Sequence, residues 1–133
     1  MSNPYIMNIE GAPERFNLGP YDLTEALLWT AEDGFFLTEY HIRRLMNAAA
    51  RCGLEVHPWR VISNLACCVR QASAKRLKVR LRVSRDGQYR VDCKKIPPTP
   101  TEPARLRWSE RAIDSTSPFH FYKTTNRHVY DGN

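Results

Sequence analysis

The sequence has no apolar run long enough to span a bilayer, and no basic, apolar and small-residue leader opens it. We therefore expect no membrane partner and a cytoplasmic location. Cysteine is sparse and unpatterned: Cys52, Cys67, Cys68 and Cys93 show neither metal-ligand spacing nor a disulfide framework. Adjacent Cys67 and Cys68 read as core thiols in a reducing compartment, and no metal site is expected. Internal repeats, low-complexity tracts and nucleic-acid-binding motifs are also missing.

What remains is a globular composition. The chain has 133 residues, of which 42% are hydrophobic and 26% charged, enough for one domain or slightly more with a real core. Its net charge is +6, which suits nucleic acid, a membrane surface or an anionic small molecule. Much of the excess lies between Arg70 and Arg90, where a solvated strand face is the default reading. The aromatic residues do not interleave with those basic positions, which argues against nucleic acid.

Taken in order, residues 1–20 are rich in turn formers and read as an irregular lead-in, with a short strand near Tyr5–Ile9. Leu23–Trp29 and Phe35–Leu37 read as strands around an Ala31–Gly34 turn. Thr38 is placed to cap a helix running from Glu39 to about Cys52, and Gly53 to end it. The apolar spacing of Ile42, Leu45, Met46 and Ala49 carries that helix. A second helix is predicted from Pro58 to about Ala72. Leu77–Val83 alternates apolar and basic residues strictly, so Leu77, Val79, Leu81 and Val83 face a core while Lys78, Arg80 and Arg82 face away. An Asp86-Gly87 turn leads to a return strand at Tyr89–Cys93. Prolines 97, 98, 100 and 103 mark a connection, and Leu106 with Trp108 reads as a further short strand.

The C-terminal stretch is where chemistry is expected. An aromatic-rich run, Phe119-His120-Phe121-Tyr122, delivers Lys123, and Thr124, Thr125, Asn126 and Arg127 follow. A lysine at its ordinary pKa of about 10.4 is protonated and cannot attack a carbonyl. Apolar packing disfavours the ammonium and makes the free amine usable. The plainer alternative is a solvated lysine ending a strand.

Three separated pieces carry a resemblance. Leu23-Thr24-Glu25-Ala26-Leu27-Leu28-Trp29 with Gly34-Phe35-Phe36-Leu37 looks like the opening hairpin of the fold-type IV pyridoxal-phosphate enzymes. His41-Ile42-Arg43-Arg44-Leu45 matches that family's His-x-x-Arg-Leu helix start. Lys123-Thr124-Thr125-Asn126-Arg127 resembles the Lys-x-x-Asn-Arg form of its aminodeoxychorismate lyase branch. The resemblance implies that Lys123 binds pyridoxal 5'-phosphate covalently and that Arg44 binds its phosphate, as a planar guanidinium fork can. The alternative for Arg44 is a surface pair with Glu39 or Asp33. The resemblance further implies that His41 positions Arg44 or touches the phosphate, against a plain packing role, and that Arg127 contacts substrate. The aminotransferase branch has a tyrosine about five residues after its lysine, where this chain has His128.

The fold expected is α+β: an antiparallel sheet with two helices on one face, like the small N-terminal domain of that family. Residues 1–95 would form this domain, 96–103 a Pro-rich linker, and 104–133 the start of a large domain, extended or dependent on a partner. The implied activity is elimination from an amino substrate, giving 4-aminobenzoate and pyruvate. Amino-acid transamination of the branched-chain or D-amino-acid type, and a non-catalytic basic interaction domain, stay open. The family's second half, with the acid that bonds the pyridine nitrogen, has no counterpart in these residues, so turnover by this chain alone is expected to be weak or absent. The implied partners are a small-molecule amino substrate and either a second copy of the chain or a chain supplying that half.

Overall fold

A computed structural model describes residues 3–131. The elements are β1 (Leu23–Thr30), β2 (Gly34–Phe35), α1 (Thr38–Cys52), α2 (Pro58–Val69), β3 (Arg76–Val83), β4 (Tyr89–Lys95), α3 (Pro118–Phe121) and α4 (His128–Asp131). The strands make one antiparallel sheet in the order β2-β1-β3-β4. Both longer helices pack on the same face of it. The α+β architecture expected from the sequence is therefore the one observed.

The alternation in β3 sets the layers. Leu77, Val79, Leu81 and Val83 are buried and stand opposite Trp29, Leu27, Glu25 and Leu23 of β1. Residues opposite one another share a face, so this is the helix side. Ile42, Leu45, Met46 and Ala49 of α1 and Val61 and Leu65 of α2 close the core above it. Lys78, Arg80 and Arg82 lie on the helix-free face with Lys94, Asp92 and Arg90 of β4. The Asp86-Gly87 turn forms as expected, with Gly87 at φ 82°, where only glycine sits without cost. Gly53 likewise ends α1 at φ 73°, its N–H donating to the Ala49 carbonyl.

Several local expectations fail for identifiable reasons. Thr38 does not cap α1: it is the first helical residue, and Leu37, in a left-handed conformation at φ 55°, occupies the cap position. β2 is correspondingly short, because the chain turns into the helix after Phe35. α2 stops at Val69, before the expected Ala72. No strand forms at Tyr5–Ile9; that stretch is instead tied to α1, with the Asn47 side chain accepting from the Met7 N–H at 2.8 Å. Nor do Leu106 and Trp108 form a strand. They are 93% and 97% exposed, and a strand without a neighbour leaves its backbone unpaired. Cys67 is exposed rather than core, and Cys68 is bonded to Cys93 across the α2–β4 contact. No helix among the described residues is long and apolar enough to cross a membrane.

Leu81 is 0% exposed, so Leu81→Ala is expected to cost about 2–5 kcal/mol in chemical denaturation. Trp108→Ala, at a fully exposed position, is expected to change stability by less than about 0.5 kcal/mol. An equal loss from both would show that residue 108 packs on something in solution.

Candidate active site

β1 carries an acid where its pattern calls for an apolar side chain. Glu25 has the parity of Leu23 and Leu27 and is 1% exposed. A carboxylate taken out of water unpaired costs several kcal/mol, so it must be answered by charge and hydrogen bonds. Arg44 answers it with two: Nε donates to Oε1 at 2.7 Å and Nη2 to Oε2 at 2.6 Å. His41, one turn earlier on α1, places Nδ1 2.8 Å from Oε2. These hydrogen bonds hold the Arg44 proton more firmly than usual, against the opposing cost of burial. Arg44 therefore pairs with neither Glu39 nor Asp33; Arg43 takes Glu39, at 3.1 Å.

Lys123 reaches this neighbourhood through the backbone. β2 covers β1 only at Trp29 and Thr30, leaving the edge at the other end of β1 open. The lysine segment fills it. Thr124 bridges to Leu23 in antiparallel sense. Thr24 N–H donates to the Lys123 carbonyl at 3.2 Å, and Thr125 N–H to the Asp22 carbonyl at 2.9 Å. The Thr125 hydroxyl accepts from Asp22 N–H at 2.9 Å. On the preceding side, the Tyr122 ring stacks on Phe16 at 4.4 Å with 5° between planes, and its hydroxyl donates to the Pro13 carbonyl. Phe119 meets Phe16 and Tyr21 edge-on. The irregular lead-in is thus the strut that holds the lysine segment down.

Two cavities meet at Lys123, Thr124 and Arg127. One, of about 260 Å³, also includes Arg44, His120, Tyr122 and Asn126. The other, of about 240 Å³, opens on the helix-free face and includes Thr24, Ala26, Lys78 and Arg80. Among the described residues no acidic side chain lines either one. Arg44, Lys123 and Arg127 are therefore brought together at one cleft. His41 is not on its wall and touches it only through Glu25. Arg127 is held loosely, its Nε 3.5 Å from Asp131 and its guanidinium 5.2 Å from the Tyr130 ring centre.

Burial lowers the Lys123 pKa below its ordinary value; Glu25 opposes the shift, and the guanidiniums of Arg44, Arg127 and Arg80 add to it. The amine is thus easier to free of its proton than an exposed lysine.

Sequence reasoning missed Glu25, although the signal was there: an ionisable residue at a core parity of a strand. It also left Lys78 and Arg80 to solvent, whereas both border the lysine.

If Glu25 and Arg44 act as one unit, a double-mutant cycle of Glu25→Gln and Arg44→Gln is expected to show a coupling of about 1–3 kcal/mol in denaturation; additive losses would contradict it. Folded Lys123 loses its proton at lower pH than unfolded Lys123, so its contribution to stability rises with pH from the folded value up to about 10.5, the ordinary one. Lys123→Met is expected to flatten that rise, read from denaturation midpoints over the same pH range.

Neither a family model nor a curated protein matches the sequence. Among solved structures, one match is a Mesorhizobium loti protein provisionally described as an amino-acid aminotransferase. The two share 24% identity with a TM-score of 0.77, over 84% of this chain and 54% of that one. The chain thus spans about half the length of that protein and has its fold over the matched part, an α+β domain.

Proposed function

We propose that this chain is the lysine-bearing part of a pyridoxal-phosphate-dependent enzyme that acts on a small amino substrate. The observation that carries the proposal is the convergence of Lys123, Arg44 and Arg127 on one cleft that no acidic side chain lines among the described residues. An aminotransferase-like fold supports it. The lyase reading, elimination to 4-aminobenzoate and pyruvate, rests on the Lys123-Thr124-Thr125-Asn126-Arg127 resemblance. Transamination is the second reading, favoured by the fold match. Residues 104–133 would begin a second domain, completed by a further copy or a complementing chain; the exposed Leu106 and Trp108 are consistent with a surface that such a domain covers.

The residues present fit the cofactor. Its phosphate would be held by Arg44, of which Glu25 occupies one edge while about half the side chain stays exposed toward solvent. Because Glu25 fixes that guanidinium before anything binds, little side-chain entropy is left to lose. Arg44 is largely neutralised by Glu25, so Lys123 and Arg127 supply the net positive charge of the cleft. Pyridoxal phosphate supplies an aldehyde for covalent attachment and a conjugated ring that takes up an electron pair. Lys123 Nζ, with its proton loosened by burial, can form the attachment and, once displaced by the substrate amine, take the proton from the amine-bearing carbon. Protonated, it can return that proton, either to the leaving group in elimination or to carbon in transamination. No acidic side chain lines the cleft among the described residues, so the acid for the pyridine nitrogen must come from elsewhere.

The test is to mix the protein with pyridoxal phosphate, reduce with borohydride and map the label. Labelling concentrated at Lys123, lost in Lys123→Ala and weakened about ten-fold in Arg44→Gln, is expected. Pyruvate release by this chain alone is expected to be negligible, because the missing acid acts on the transition state. Labelling scattered over many lysines would refute the proposal.

A further inference from the structure

The disulfide between α2 and β4 has no part in the mechanism above. Cys68 is the penultimate residue of α2, and Cys93 lies on β4, 25 residues on. Cys93 stands opposite Val79 in the register, so it faces the helices. Both cysteines are half-buried, and both line a cavity of about 300 Å³ with Gln71, Ala72, Ser73 and Ala74. A small molecule entering that cavity therefore meets the bridge.

A larger cavity adjoins it. This one measures about 480 Å³ and shares Ser73 and Ala74 with the first. Lys75, Arg76 and Lys95 give it charge, and Ile96, Pro97 and Pro98 give it an apolar wall. Among the described residues none of these three cations is in an ion pair, and no acidic side chain lines either cavity. Backbone hydrogen bonds fix the rim: Ala31 N–H donates to the Lys75 carbonyl at 2.9 Å, and Ile96 N–H to that of Arg76 at 3.2 Å. Unpaired cations beside an apolar wall attract an anion with a carbon body. A disulfide next to such a place is open to exchange with a thiolate. One kind of molecule answers both features, a thiol that carries carboxylates.

We propose that the two cavities together form a thiol-exchange site, where a small carboxylate-bearing thiol opens the Cys68–Cys93 disulfide and becomes bonded to Cys68. Its carboxylates rest on Lys75, Arg76 and Lys95 while its thiolate reaches the bridge. The thiolate attacks Cys68 Sγ, and a new S–S bond forms there. The Cys68–Cys93 bond breaks, and its electron pair leaves on Cys93 Sγ, which then takes up a proton. A second molecule of the thiol releases the first as its own disulfide and leaves Cys68 reduced. The direction of attack follows from the surroundings of the two sulfurs. The better leaving group is the one whose thiolate is better stabilised. Cys93 shares its face of β4 with Lys95, two residues on. Cys68 lies near the negative end of the α2 dipole, in a last turn without basic residues; Arg70, at the cap, is exposed. Exchange at this site frees the end of α2 from β4, and it is independent of the role given to Lys123.

The test uses the full chain with Cys67→Ser, so that the exposed thiol beside Cys68 takes no label, purified without reductant. Glutathione is the carboxylate-bearing probe and 2-mercaptoethanol the neutral one, with rates compared per thiolate. Glutathione is expected to open the disulfide at least about ten-fold faster, and salt at about 0.5 M to remove most of that advantage. Arg76→Gln combined with Lys95→Gln is expected to slow glutathione about ten-fold and 2-mercaptoethanol by less than about two-fold. Both positions are exposed, and Lys75→Gln gives the same reading if that double variant does not fold. Fragment mass spectra are expected to place the glutathione on Cys68. Equal rates per thiolate, a glutathione rate indifferent to these substitutions, or glutathione found on Cys93 overturns the proposal. So does a chain in which Cys68 and Cys93 both remain free thiols after oxidation in air.

Discussion

A carboxylate at the centre of an otherwise apolar strand face is the constraint on which the rest of the arrangement depends. Glu25 cannot stay charged in that position without partners, and Arg44 and His41 provide them from the first turns of α1. The three groups fix the rotation of α1 over β1, because a helix turned by one residue would move both partners off the carboxylate. They also aim Arg44. A guanidinium gripped along one edge can offer only the other to the cleft, so its direction is set before a ligand arrives. The energy of the pair and the geometry of the site are in this sense one matter: an isosteric apolar residue could fill the space of Glu25, but it would leave Arg44 unaimed.

The second constraint is the brevity of β2. By turning into α1 after Phe35, the chain leaves the edge of β1 before Leu28 unpaired by β2. An open edge is a row of unsatisfied donors and acceptors, and the segment at Lys123–Thr125 satisfies its start, at Asp22–Thr24. Its docking needs no further regular structure, only the stack of Tyr122 on Phe16 and the short backbone ladder. The outcome places Lys123 at the boundary between the two faces of the sheet, with a cavity on each side.

The charge distribution follows from the same geometry. Glu25 is buried against Arg44 and His41, and among the described residues no acidic side chain lines either cavity. What faces the cavities is therefore cationic, which lowers the proton affinity of Lys123 and attracts anions.

Periodicity by itself determined the two helices, the core face of β3 and the β3–β4 turn, because apolar spacing and Asp-Gly chemistry are local properties. The α+β arrangement with both helices on one face followed from them. The resemblance of three segments to a known family singled out Lys123, Arg44, His41 and Arg127, and the structure draws three of these to one cleft while setting His41 behind Glu25. What the sequence could not decide were pairings between distant residues. Glu25 looks like one polar residue in a strand until α1 crosses it. Lys78 and Arg80 look like a solvated face until the lysine segment docks beside them. The lead-in looks structureless until Phe16 receives Tyr122. Each of these depends on chain segments far apart in sequence meeting in space, through an edge left open and a charge left unpaired, and no local pattern encodes which segment will answer.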